Sequence, residues 1–493
     1  MKTIRQIIAI IVTLVFIFTL TACDSTSKAY IYFSLDEPPQ TLDPQIASSD
    51  TELMIVRNIF EGLLREDEDG KIVCGVAENY DKKGLTYTFK LRKDAKWSNE
   101  EPITAYDFVF AFRRAVTPET KAPFSKRLSY IKNADNILKG NSTVSSLGVT
   151  AINANTLKIE LEKEDKNFEH TLTTSIAMPC KEKFFNESAG KYGLGSDTTL
   201  SNGSYRLTKW GKEVFGIRLY KNKFYNGNFE AKNAAVFLSI DKERTPAQVV
   251  ADDEADLAFI KPIDLELVKQ SNLKTLDYEN ICWFLTVSDG FSKGIRKSLI
   301  ALANPQVFSK NLIPGYSSAQ SIYPPMFNST SSPTGMPIYD LENAKELFKN
   351  EINNLVDKKF PTDVVLYYYD DGFSKTVVTD IVGHWQNQLG AFVNIEAVST
   401  PSVLQSQLTD QTYALSIFPI SADSPDIAEY LEKFGIKYNG ENLSDLQNQL
   451  LTSNNIVPLT TQKTIIAYSE ELTNIKFTHG NGSIDFAYII KDN

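Results

Sequence analysis

The sequence predicts a mixed α/β protein of two or three domains. The chain has 493 residues, 42% hydrophobic and 23% charged, which is enough for several cores and ordinary for a soluble globular protein. Two stretches, Thr86 to Lys93 and Thr156 to Lys163, alternate polar and apolar residues as half-buried strands do. A third stretch reads strand, helix, strand. "DVVLYYY" from Asp363 to Tyr369 is followed by "SKTVVTDIVGHWQNQLG", closed by Gly390, and then by "AFVNIEAV". That is a βαβ unit.

The other elements follow in chain order. "MKTIRQIIAIIVTLVFIFTLTAC" places Lys2 and Arg5 before a nearly unbroken apolar run from Ile7 to Leu20, the layout of a signal peptide. The run is short for a membrane span, which needs about 20 apolar residues, although an uncleaved anchor is the competing reading. A short polar tether, residues 24–27, leads to the first strand. In "VRNIFEGLLREDEDG" the apolar Ile59, Phe60, Leu63 and Leu64 recur at helical spacing, and Asp67 to Gly70 end the pattern. "ITAYDFVFAFRRAV" opens with Thr104 and Asp107 at capping-box spacing and continues as a helix. Ser239 to Ile260 reads as a strand end, a helix and a strand. No Pro/Ser/Gly-rich linker divides the chain, so its domains are expected to interweave.

Charge and motifs exclude more than they identify. A net charge of −10 argues against nucleic acid, which calls for a basic face. The three histidines, His170, His384 and His479, stand at no metal-ligand spacing, so no metal and no cofactor is expected. The sequence holds no GxxxxGK[ST], GxGxxG, HExxH or GxSxG. Ser129 and Lys132 form an S-x-x-K, but it is short and no KTG box follows. The acidic runs Asp67–Gly70 and Ala251–Asp256 lack the alternating ligands of an EF-hand and read as solvated turns and helix faces. Apart from Cys23, the cysteines are Cys74, Cys180 and Cys282, an odd set that reads as buried free thiols.

The order of several segments points to a family. "LTAC" at Leu20–Cys23 resembles the bacterial lipobox, whose Cys becomes the lipidated first residue. "TLDPQ" (Thr41–Gln45), "IFEGLL", "GVAENYD" (Gly75–Asp81), "YTFKLRKDAKWSNEEPITAYDFVFAFRRAV" (Tyr87–Val116), "NGSYRLTKW" (Asn202–Trp210) and "ADSPD" (Ala422–Asp426) follow one another. This order resembles the periplasmic oligopeptide-binding proteins, the peptide receptors of ABC importers. The likeness spans nearly the whole mature chain and is strongest from Thr41 to about Tyr225.

The resemblance implies a periplasmic-binding-protein-like two-lobe α/β fold with an additional third domain. Domain I would combine residues 28–60, 200–283 and the last strand 484–493; domain II would be 61–199 and domain III 284–483. The "IFEGLL" helix would lead from the first lobe into the extra domain. The ligand would lie in the cleft between domains I and III, which close by hinge bending. The protein would be a monomer with no catalysis, anchored outside the cytoplasm through Cys23 (in the periplasmic space or on the outer face of the cytoplasmic membrane). It would hand oligopeptides to the membrane subunits of an importer. The implied ligand-binding residues are Asp423, Ser48, Ser49, Asp50, Tyr130, Trp283 and Tyr488. Asp423 would take the ligand's terminal ammonium, because a buried unpaired cation is costly. Alternatively Asp423 or Ser424 caps the helix that "SPDIAEYLEKF" predicts.

Several positions depart from the family pattern. The family has an aromatic where Ile420 stands, a basic residue where Ile417 stands, and different residues at "VSDG" and at Leu302–Gln306. Cys282 sits where some members carry a disulfide cysteine, but Ser421 occupies the partner position, so no bridge is expected. These departures lie on the domain III side. They leave room for a non-peptide ligand, such as an oligosaccharide or metal chelate, or for a peptide sensor without its own importer.

Overall fold

The computed structural model describes residues 29–211, 216–304, 308–327, 336–371, 374–398, 413–422, 426–438, 440–453, 455–478 and 483–492. Cys23 and Asp423 lie outside the described residues.

Two lobes, the first carrying an added unit, are joined by two long strands. The first lobe is built on Tyr30–Leu35, which pairs in parallel with Ala235–Ile240 on one side and Leu257–Ile260 on the other. The two neighbours are joined by the Pro246–Ala251 helix, capped by Thr245 with Gln248 in a reciprocal box. The expected strand–helix–strand between Ser239 and Ile260 is therefore present, with Tyr30–Leu35 inserted between its strands.

Residues from Leu64 to Glu160 build a second unit beside this sheet. Four antiparallel strands run in the order Ala77–Lys83, Thr86–Leu91, Thr156–Glu160, Val149–Asn153. Both alternating stretches read from the sequence are among them. The Ala105–Val116 helix buries Phe108 and Phe112. Its Asp107 accepts the Thr104 N–H at 2.7 Å, closing the predicted capping box. One hydrophobic core, running from Ile31 to Ile489, is common to this unit and the first lobe.

The second lobe has separate cores that draw only on residues between Ile281 and Leu459. Here the βαβ unit forms as read. Val365–Tyr369 pairs in parallel with Asn394–Val398, and the Ser374–Leu389 helix crosses between them before Gly390, whose φ is +69°. Trp385 is fully buried and donates its indole N–H to the Leu299 carbonyl at 2.8 Å.

Lys274–Val287 and Ile456–Tyr468 carry the chain from one lobe to the other. They pair antiparallel along most of their length. At one end Ile465–Tyr468 pairs with Leu257–Ile260 of the first lobe; at the other, Ile281–Val287 pairs with Leu415–Ser421 of the second. The register slips between Glu279 and Ile281, a bulge that bends the pair where it leaves the first lobe. Asn280 sits in the bulge, takes the Ala422 N–H on its carbonyl at 2.8 Å and accepts from the Thr464 hydroxyl at 2.8 Å. Ile465–Tyr468 and Leu472–Thr473, the latter paired with Ile490–Lys491, already belong to the first lobe. The chain thus returns earlier than the boundary expected at residue 483.

One expected element is different. The helix near the start runs from Asp50 to Ile59, not onward through Leu63 and Leu64. Its terminal Ile59 carbonyl is taken by the backbone N–H groups of Asn202 (3.0 Å) and Gly203 (2.9 Å). The approach is so close that a Cβ on Gly203 would stand 2.8 Å from the Ile59 carbonyl carbon. With its last carbonyl captured by a distant segment, the helix stops. Leu64–Glu66 then pairs with Ile72–Cys74 as a hairpin. The acidic run Asp67–Gly70 is that hairpin's turn, closed by Asp67 accepting from the Asp69 and Lys71 N–H groups.

Candidate ligand cleft

Three adjoining cavities of about 200, 220 and 300 Å³ lie along the seam between the lobes. The first two share Asp50 and Ser421 as walls, and the second and third share Phe124 and Arg127. They form one trough, with the first lobe and its added unit on one side and the second lobe on the other.

The first-lobe wall starts from a loop pinned by one carboxylate. Glu52, buried in the Asp50–Ile59 helix, accepts the backbone N–H groups of Gln40, Thr41, Ser48 and Ser49 at 2.8, 3.1, 2.8 and 3.1 Å. Ser49 is the helix N-cap and accepts in return from the Glu52 N–H. Ser49 therefore serves the frame, while its neighbours Ser48 and Asp50 face the trough. Below them lies a buried ion network. Arg57 stands 4.0 Å from Glu66 and 3.8 Å from Asp485, and His170 stands 3.0 Å from Glu66. Arg65 pairs with Asp485 and lies 3.5 Å from Glu61, which Arg92 meets at 3.0 Å. Burial acts to lower the Arg65 pKa, but Asp485, Tyr225 and Glu61 outweigh it and raise it, so the guanidinium stays charged.

The second-lobe wall is the end of the Ala414–Ser421 strand and the short Ile427–Glu432 helix. That helix is capped by Asp426, whose carboxylate accepts the Ala428 N–H at 2.8 Å. The cap expected at Asp423 or Ser424 is thus supplied by Asp426, and Asp423 to Pro425 lie outside the described residues. Apolar side chains back this wall, with Ile417, Ile420, Tyr430 and Leu431 all buried.

The expected binding residues separate into groups. Ser48, Asp50 and Tyr130 line the trough. Burial, followed by Asp165, Asp426 and Glu432, pushes the Tyr130 phenol above its ordinary pKa. Trp283 does not line these cavities. It is 3% exposed, belongs to a second-lobe core and donates its indole N–H to Gln462 at 2.6 Å. Its strand direction, set by pairing with Pro419 and Thr460, turns the ring inward. Tyr488 sits in a turn before the final strand, packed edge-on against Phe229 at 6.2 Å, and its pKa is pushed up to about 12, chiefly by burial. It too is absent from the walls of the three cavities. Cys180 and Cys282 are buried free thiols, while Cys74 is half-buried. Sequence reading missed Arg57, Arg127, His170 and Ser421 in the walls and Glu52 behind them. No local motif marks the wall residues, which tertiary contact alone brings together; Glu52 does carry one, the S-x-x-E capping-box spacing with Ser49.

The profile of the bacterial extracellular solute-binding proteins, family 5, matches residues 71–442. The chain belongs to that family. Among family 5 relatives, the oligopeptide-binding protein OppA of Bacillus subtilis (strain 168) is 27% identical over 471 residues, covering 89% of this chain and 86% of that one. The probable deoxycholate-binding periplasmic protein YgiS of Escherichia coli (strain K12) is 26% identical over 388 residues, 75% of this chain and 71% of that one. The fold matches the peptide-bound OppA of Listeria monocytogenes with a TM-score of 0.75 at 21% identity, over 95% of this chain and 100% of the other. The family 5 chain described here therefore has the two-lobe periplasmic-binding fold of extracytoplasmic solute receptors. Among its described residues, no helix is long and apolar enough to cross a membrane and no cluster of three or more His, Cys, Asp or Glu could hold a metal.

Proposed function

We propose that this protein is a lipid-anchored receptor that captures oligopeptides in the interlobe trough and delivers them to an ABC importer, without catalysis. The observation that carries this reading is the trough itself, lined by both apolar and polar groups, between two lobes joined by a bent pair of strands. An extended peptide offers backbone groups that adjacent main chain can pair, and side chains that hydrated pockets accommodate without reading sequence. The peptide ligand of the OppA relatives and the "LTAC" lipobox at Cys23 support the two ends of the proposal.

In this reading Asp423 receives the ligand's ammonium. Ser421, two residues earlier, ends its strand in the wall of two of the cavities, which favours that role. Thermal unfolding of the mature protein with a panel of tri- to octapeptides tests the proposal, since a ligand of the folded state adds RT ln(1 + [L]/Kd) to stability. A subset of peptides is expected to raise the melting temperature. Asp423→Ala is expected to weaken those peptides by about 30-fold or more, the cost of leaving a charge buried and unpaired. No peptide response would reject the function, and an unchanged affinity in the variant would reject the residue.

The YgiS likeness favours a second reading, an amphipathic non-peptide ligand. Native mass spectrometry of the purified protein separates the two by the mass of what it carries.

A further inference from the structure

An ion pair between side chains of opposite lobes crosses the trough. Arg127, in the short helical turn Ser125–Leu128, places its Nε 2.6 Å from Oε1 of Glu429 in the Ile427–Glu432 helix. Both side chains are largely shielded, at 15% and 26% exposure. The Arg127 guanidinium lies over the Phe124 ring at 4.4 Å, so it is held in position before the partner arrives and loses little freedom on pairing. The surroundings are charged on both sides. Asp165 and Lys126 on the Arg127 side and Asp426, Glu432 and Lys433 on the Glu429 side line the same cavity.

We infer that Arg127 and Glu429 form a cross-trough latch that sets how far the ligand-free protein is closed. Lobe closure brings four carboxylates, Asp165, Asp426, Glu429 and Glu432, to one seam, and Arg127 is the cation paired there with Glu429. Without Arg127 the four carboxylates are left with Lys126 and Lys433 as the cations lining the cavity; without Glu429 the guanidinium still shares it with three acids. The two positions are therefore unequal, and loss of the arginine opens the lobes further. A ligand that binds the closed form feels the latch through the fraction already closed, whether or not it touches either residue. The inference rests on the reading of this protein as a closing two-lobe receptor.

The test is small-angle X-ray scattering of the ligand-free mature protein, with no peptide added. Arg127→Ala is expected to lower the fitted closed-to-open ratio by roughly three- to tenfold, at or above the upper range for exposed ion pairs. Glu429→Gln is expected to lower it less. The double variant is expected to fall short of the product of the two single changes, as coupled partners do. Circular dichroism melts of all three check that they fold, and Glu429→Gln, isosteric and removing only the charge, keeps the test open if Arg127→Ala is lost. Scattering unchanged in both single variants overturns the latch, as do two effects that multiply independently. A change that appears only after peptide is added overturns it too, by assigning Arg127 to the ligand. Because the measurement needs no ligand, failure of the peptide reading leaves its outcome intact.

Discussion

On the first-lobe side of the trough the charges are buried and already paired; on the second-lobe side they stand at the surface of a short helix with apolar residues behind. Arg57, Arg65, Glu61, Glu66 and Asp485 each have an opposite charge within 4.0 Å. Ile417, Ile420, Tyr430 and Leu431 fill the equivalent depth across the gap. The first wall is a fixed frame, since moving any member strands another charge in a low-dielectric interior. The second wall can exchange surface groups while its core stays packed. Ile417 and Ile420, the positions expected to depart from the family pattern, fall on this second side. The two walls therefore differ in what a substitution costs.

The largest effect should come from breaking the frame. Asp485→Ala leaves Arg65 and Arg57 short of a carboxylate and is expected to cost about 3–5 kcal/mol. Ile420→Val on the opposite wall is expected to cost about 0.5–1.5 kcal/mol. Denaturant unfolding of the two variants measures both. Equal costs would erase the distinction between the walls.

Glu52 should come next. Its carboxylate satisfies four backbone N–H groups at once, so Glu52→Ala is expected to cost about 2–3 kcal/mol. The loss should be local, with amide exchange accelerating at Gln40, Thr41, Ser48 and Ser49 ahead of the second-lobe wall. Uniform acceleration across both lobes would show that the loop is not a separately pinned piece of the frame.

The same contrast explains what could be read in advance. The Ala105–Val116 helix, the βαβ unit and the alternating strands carry their instructions locally, in a capping box, a periodicity and a closing glycine. The end of the Asp50–Ile59 helix does not, because Asn202 and Gly203 decide it from far along the chain. The apolar spacing of Leu63 and Leu64 fits a helix, yet Leu64 joins a hairpin once the helix is stopped. Trp283 looks like a ligand-facing aromatic until its pairing with Pro419 and Thr460 fixes which way the strand turns it. In the trough, Ser48, Asp50 and Tyr130 came from likeness to a family. Arg127 and Glu429 had no such signal, since each is an ordinary surface charge until the lobes meet.

The smallest effect expected is a pH response of that meeting. Burial is the largest influence on Asp165 and Asp426 and raises both pKa values, and Glu429 adds to the shift at each. The N–H groups of Asn167 and Ala428, and Lys163 and Lys82 beside Asp165, act the other way without cancelling it. Opening the trough returns water to both carboxyls and their pKa values toward the ordinary carboxylate range. The closed form therefore holds more protons between that range and the raised values. Closure gains as pH falls through this window and loses the gain as pH rises above the raised values. Scattering of the ligand-free protein at pH 7.5 and pH 5 should show more closure at the lower pH, by less than Arg127→Ala takes away at neutral pH. Asp426→Asn should shrink the response while keeping the helix capped, since Asn caps as well as Asp. Opening on acidification, or an unaltered response in the Asn variant, would place the titrating groups elsewhere than this seam.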